Sequence, residues 1–109
     1  MHKIIDEIAG KNVLILGFGR EGRSTYKFIR NYLPLQHLTI ADKNEEVQNP
    51  QEVTLTTWRT GPDYLEDLGA FDLIIKSPGI RIPENKRKEI QDGALTSQTQ
   101  LFLSRYRNR

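Results

Sequence analysis

The residues best suited to chemistry form one short loop, Gly17-Phe18-Gly19-Arg20-Glu21-Gly22. This G-x-G-x-x-G pattern follows the apolar run Val13-Leu14-Ile15-Leu16 and opens a helical pattern. In that setting each glycine has a physical use. Gly17 permits a tight turn out of a strand, Gly19 lets a diphosphate approach the backbone, and Gly22 lets the helix pack close to the sheet. The first N–H groups of a helix have no intrahelical acceptor and attract an anion. The helix dipole adds ~0.3–1 kcal/mol at an exposed site and up to ~2 kcal/mol when partly buried. Asp42 closes the next β-rich run, 20 residues after Gly22. An acid at that distance commonly reads a ribose hydroxyl or a base N–H. A ligand-free glycine turn with an ordinary strand-end acid is the bland alternative. The combination favours nucleotide or dinucleotide binding.

A second edge is Lys76-Ser77-Pro78-Gly79-Ile80, which follows Leu73-Ile74-Ile75. Pro78 drives Ser77 toward extended geometry, and Gly79 can take the positive φ that a type II turn requires. Such a turn would sit at the carboxyl end of a parallel strand, where open α/β sheets bind ligands. Ser77 has no histidine pattern nearby and is not a candidate nucleophile. Glu21 suits the helix dipole but repels a phosphate, so it is expected to point aside or to bind another group. Ser24 could cap the loop or touch phosphate. Arg23, Lys43, Lys76 and Arg81 read as solvated surface charges, and Trp58 as packing.

The elements that must position these residues alternate between strand and helix. Strands are expected over 13–16, 38–42, 53–58 (at an edge), 71–76 and 94–96. Helices are expected from Arg20 to about Leu33, stopped by Pro34, then over 62–68, 84–91 and through 100–103. Thr25, Phe28, Ile29, Tyr32 and Leu33 share one helical stripe. The alternation predicts an α/β fold, Rossmann-like, with a parallel sheet and helices on both faces.

A length of 109 residues suits a single domain over 1–109. The absence of cysteine excludes disulfides and thiolate metal sites, and His2 and His37 lie far apart. A net charge of +2 is too small to argue for nucleic acid. The basic clusters at Lys86-Arg87-Lys88 and at Arg105, Arg107 and Arg109 carry no recognition motif and read as solvated faces. No apolar run is long enough for a membrane span, and the N-terminus lacks a signal-peptide core, so a cytoplasmic location is the default expectation.

Together the motifs resemble the N-terminal domain of a Mur ligase. Three segments carry the resemblance: 11–24, Ala41-Asp42-Lys43, and Asp72 to Ile80, whose hydrophobic run closed by Ser-Pro-Gly-Ile is the most telling. Leu101-Phe102 also matches the helix that precedes the family's central domain. The resemblance implies a domain that holds the UDP part of UDP-N-acetylmuramoyl-L-alanine for an ATP-dependent ligase adding D-glutamate. Gly19 to Gly22 would lie at the diphosphate, within the UDP-binding loop Gly17 to Gly22. Asp42 and Lys43 would flank the uridine, and Ser77, Pro78, Gly79 and Ile80 would line its other side. Glu21 departs from relatives that carry a hydroxyl residue there. The resemblance also implies ATP and magnesium in the parent enzyme, held mainly by a central domain that this domain would contact. The chain itself has no G-x-x-x-x-G-K-[ST] loop, so it is expected to catalyse nothing alone. Two other classes stay open: an NAD-binding dehydrogenase or regulatory domain, and a non-catalytic interaction domain with an unused glycine loop.

Overall fold

The computed structural model describes residues 3–47 and 55–101. Its centre is β1 (Val13–Leu16), with all four side chains buried. A strand without a polar position must be covered on both faces. Parallel neighbours flank it: β2 (Leu38–Asp42) pairs Leu38 with Val13, and β4 (Leu73–Lys76) pairs Leu73 with Val13. β3 (Thr56–Thr60) and β5 (Leu95–Thr96) complete a five-stranded parallel sheet of order β3-β2-β1-β4-β5. The expected α/β, Rossmann-like class is therefore the observed one.

Alternation along the strands feeds two cores. Val13, Ile15, Leu38, Ile40, Leu73 and Ile75 face one side, where Ile4 and Ile8 of α1 (Lys3–Ile8) and Tyr26 and Ile29 of α2 (Arg20–Tyr32) cover them. Leu14, Leu16 and Ile74 face the other side, packed with Leu68, Phe71 and Ile82. Turns and loops supply this second cover, and the short α3 (Glu84–Arg87) buries none of its residues.

Several expected elements differ. α1 was not foreseen, although Ile4, Ile5 and Ile8 repeat at helical spacing and are all buried. The edge strand lies at Thr56–Thr60 rather than 53–58, and residues 53 and 54 fall outside the described ones. The expected helix over 62–68 is a series of turns, closed by Tyr64 N–H to Gly61 and Glu66 N–H to Asp63. Asp67 then takes φ 54°, which ends any α-helical path, and a 3₁₀ turn follows at Leu68–Ala70. α3 stops at Arg87 rather than Gln91, because the bonds from Glu89 and Ile90 reach back only three residues. The last helical turn begins at residue 98 and is described through Leu101, which is buried.

The stripe of α2 is also shifted. Gly22, Thr25, Tyr26 and Ile29 are buried, whereas Tyr32 sits at the rim, 44% exposed and tilted against Phe28. Pro34 follows as expected, and the helix ends on a bond from Leu33 N–H to Ile29. Arg30 secures this end. It stacks over Tyr26 and donates to the carbonyls of Pro34, Gln36 and Leu55.

Polar clips fix the amino end of the sheet. Asn12 N–H donates to Asp72, and the Asn12 side chain donates to Ala70. Gln36 accepts from Gly10 N–H and donates to Lys11. The opposite, carboxyl end is left to the loops that follow β1, β2 and β4.

Gly22 is the tightest joint between helix and sheet. A Cβ there would fall on the Gly17 carbonyl oxygen and press on Ile15. Gly22→Ala should therefore destabilise the fold by on the order of 3 kcal/mol in urea unfolding. Gly19→Ala, whose Cβ would meet nothing within 4 Å, should cost less than about 1 kcal/mol. Equal costs for the two would contradict this packing.

Candidate functional site

Strands are added outward from β1 to β2 and β3, and the chain then returns to place β4 on the other side of β1. The reversal leaves a crevice at the carboxyl ends of β1 and β4, the usual ligand position in such sheets. A cleft of about 840 Å³ lies at this end of the sheet. Gly17, Gly19, Arg20, Glu21, Asp42, Ser77, Pro78, Gly79 and Ile80 line it, joined by Ser24 and Gln98. The volume falls within the range of roughly 300–1,000 Å³ typical of small-molecule sites.

The glycine loop forms the floor. Gly17 has φ 95°, a conformation that favours glycine, and its N–H continues the ladder to Ala41. A Cβ on it would also strike Ile80 and Ser77, at 2.9 and 3.0 Å. Gly19 is the N-cap of α2 and offers no side-chain cap. The N–H groups of the first turn have no acceptor within the helix. A Cβ on Gly19 would enter open space on the side of the cleft.

Asp42 braces this floor. One carboxylate oxygen accepts from Phe18 N–H at 2.7 Å and the other from Asn44 N–H at 2.8 Å. The acid thus ties the β1–α2 loop to the loop after β2 while still facing the cleft. Phe18 turns its ring inward, edge-on to Tyr26 and Trp58 at 5.8 and 5.3 Å. Trp58 is a packing residue, as its isolation in sequence suggested. Of the twelve residues expected at a ligand, Phe18, Gly22 and Lys43 do not line the cleft. Phe18 and Gly22 are committed to packing, and the Lys43 side chain is exposed.

The Ser77-Pro78-Gly79-Ile80 turn is the opposite wall. Ile80 N–H bonds to the Ser77 carbonyl, and Ser77 Oγ donates to the Gly17 carbonyl at 3.3 Å. Gly79 does not use the positive φ open to it, so the turn is not type II. The absence of a Cβ on Gly79 instead leaves open space beside the cleft. Lys76 is not a free surface charge either. Its ammonium folds back onto the Ser77 and Ile80 carbonyls at 3.0 and 2.8 Å and clamps the turn.

The charged rim is mixed. Arg20 is exposed at the mouth, and Glu21 is half-buried with no hydrogen-bond or ion-pair partner among the described residues. Arg23, expected to be merely solvated, stacks over the Phe18 ring and donates to the Phe18 carbonyl. Lys86 pairs with Glu66 at 3.4 Å, whereas Arg87 and Lys88 are exposed. Arg105, Arg107 and Arg109 lie outside the described residues. Gln98, unforeseen, reaches the cleft and donates to Ser24 at 3.3 Å. No motif marks it in sequence, because only the placement of β5 brings it there.

Over 77 residues the chain is 38% identical to a UDP-N-acetylmuramoyl-L-alanine–L-glutamate ligase of Xanthomonas oryzae, covering 70% of this chain and 16% of that protein. Over 85 residues it is 36% identical to a UDP-N-acetylmuramoylalanine–D-glutamate ligase of Lactobacillus delbrueckii, covering 72% and 18%. A D-glutamate ligase of Ruminiclostridium cellulolyticum matches at 28% over 104 residues, covering 89% and 22%. The chain thus spans about a sixth to a fifth of the length of these relatives, in their N-terminal part. No family model and no solved structure matches it.

Removal of the Asp42 carboxylate frees two backbone N–H groups at once. Asp42→Ala should lower unfolding free energy by on the order of 1.5–3 kcal/mol and shift the Phe18 and Asn44 amide resonances most. Unaltered stability, with those two resonances unmoved, would refute the bracing role.

Proposed function

The chain belongs to the Mur ligase family, whose N-terminal part it matches, and we propose that its cleft holds the UDP portion of UDP-N-acetylmuramoyl-L-alanine. The observation that carries this reading is the uncapped first turn of α2, set beside the cleft at the β1–β4 crevice. A diphosphate offers acceptors only, and the amides of residues 19–22 are donors without an intrahelical partner. Hydrogen bonds to a charged group contribute about 1.5–3 kcal/mol each, so two or three are enough to fix the diphosphate. The nucleoside would then extend toward Asp42 and Lys43, with Ser77 to Ile80 along its other side.

The relatives favour the same division of labour. Some are named for L-glutamate and others for D-glutamate, yet both match this segment. Their names share UDP-N-acetylmuramoylalanine, which supports assigning the segment to that substrate. The incoming glutamate, D-glutamate by the family resemblance, would be selected elsewhere in a longer enzyme.

In such an enzyme ATP would activate the substrate carboxylate as an acyl phosphate, which the glutamate amine then attacks. The sequence has no phosphate-binding P-loop, and no three His, Cys, Asp or Glu side chains gather to hold a metal among the described residues. The proposed part of this chain is to anchor the substrate's nucleotide end at the first turn of α2, within a domain that spans 1–109.

Calorimetric titration of the 109-residue chain with UDP, and separately with NADH, separates this reading from a dinucleotide-binding domain. UDP should bind and NADH should bind more weakly. Preference for NADH would reject the proposal. Gly19→Val should reduce UDP affinity by at least ~10-fold, about 1.4 kcal/mol, because its side chain would occupy the phosphate position. The fold should persist, since that Cβ meets no protein atom within 4 Å. Full affinity in Gly19→Val would displace the diphosphate from α2.

A further inference from the structure

Asp42 closes β2, whereas Gln98 follows β5, and β1 and β4 lie between them. The carboxyl edge from β2 to β5 crosses three strand spacings, roughly 14 Å at ~4.8 Å each. A nucleoside near Asp42 and a diphosphate at α2 leave the β5 side for whatever is esterified to the far phosphate.

Three polar side chains line the cleft on that side. Glu21 and Ser24 are three residues apart on α2 and share a face. Gln98 approaches from the β5 side and donates its amide to Ser24 Oγ at 3.3 Å. This bond holds the helix and the β5 side together at the mouth of the cleft and leaves the Gln98 carbonyl as an acceptor. Glu21 is half-buried and has no partner among the described residues.

A carboxylate is a poor neighbour for a diphosphate, since both are anionic and neither can donate. It is a good neighbour for a hydroxyl or an N-acyl N–H, because it accepts strongly from both. We infer that Glu21, Ser24 and Gln98 form a subsite for the sugar carried on the diphosphate, with Glu21 accepting from a sugar hydroxyl or its N-acyl N–H. The inference rests on the nucleotide reading above and assigns the part of the cleft that the reading leaves open. Glu21 then has two opposed effects: it weakens the hold on a bare nucleoside diphosphate and strengthens the hold on a sugar nucleotide. The site would thereby discriminate against free UDP.

The test is a pair of titrations, UDP and UDP-N-acetylmuramoyl-L-alanine, on the unmodified chain, Glu21→Ala and Gln98→Ala. The unmodified chain should bind the sugar nucleotide at least ~10-fold more tightly than UDP. Glu21→Ala should bind UDP about threefold more tightly, as expected when a like charge is removed, and should lose most of the preference for the sugar nucleotide. Gln98→Ala should narrow the preference at least ~3-fold. A merely structural role for Glu21 would weaken both ligands together, which overturns the inference, as does the same preference ratio in all three proteins. An unmodified chain that fails to bind UDP would reject the nucleotide reading itself. One that binds UDP and the sugar nucleotide equally would reject only the sugar subsite.

Discussion

The close approach of α2 to the end of β1 is the constraint on which the site depends. It exists because Gly22 has no side chain, so the first turn of the helix can lie against the Gly17 carbonyl. That contact puts the helix N-terminus over the carboxyl end of the central strand. Gly17, at φ 95°, makes the sharp exit that the contact requires, and its missing side chain also admits Ser77 and Ile80 from β4. The two walls of the cleft are therefore set by the same pair of glycines. Asp42 adds the third support by holding the Phe18 amide, and with it the loop, to the end of β2.

The two ends of the sheet are built differently. At the amino end, Asn12, Gln36 and Asp72 use side chains to satisfy backbone groups, and the loops are closed. At the carboxyl end, the donors of the α2 first turn have no side-chain cap. A polar group left without a protein partner at a cleft mouth costs little while water reaches it, and it stays available to a ligand. The amino edge is thus closed by side-chain clips, whereas the carboxyl edge combines the braces of Asp42 and Lys76 with backbone donors left uncapped, and the buried strands β1, β2 and β4 lie between the two.

Much of this was legible in the sequence where local chemistry and tertiary role coincide. β1, β2 and α2 follow from an unbroken apolar run, a second run ending in Asp42, and a helical pattern stopped by Pro34. The cleft walls followed from the glycine loop and Ser-Pro-Gly-Ile. Elements set by long-range packing were harder to read. The turns over 61–67 carry a helical-looking pattern, but Asp67 adopts a left-handed conformation that the pattern does not announce. α1 has only six residues and draws its order from burial of Ile4 and Ile8 against the sheet. Gln98 carries no motif, and its position depends on β5 pairing beside β4. Lys76 and Arg23 looked like free cations because sequence does not reveal a carbonyl cluster or a ring within their reach.

The most direct measurement is a structure of the chain crystallised with UDP. Diphosphate oxygens should lie within about 3 Å of the backbone nitrogens that open α2, with Gly19 beneath them. A diphosphate lodged elsewhere, with those nitrogens facing only solvent, would contradict this placement.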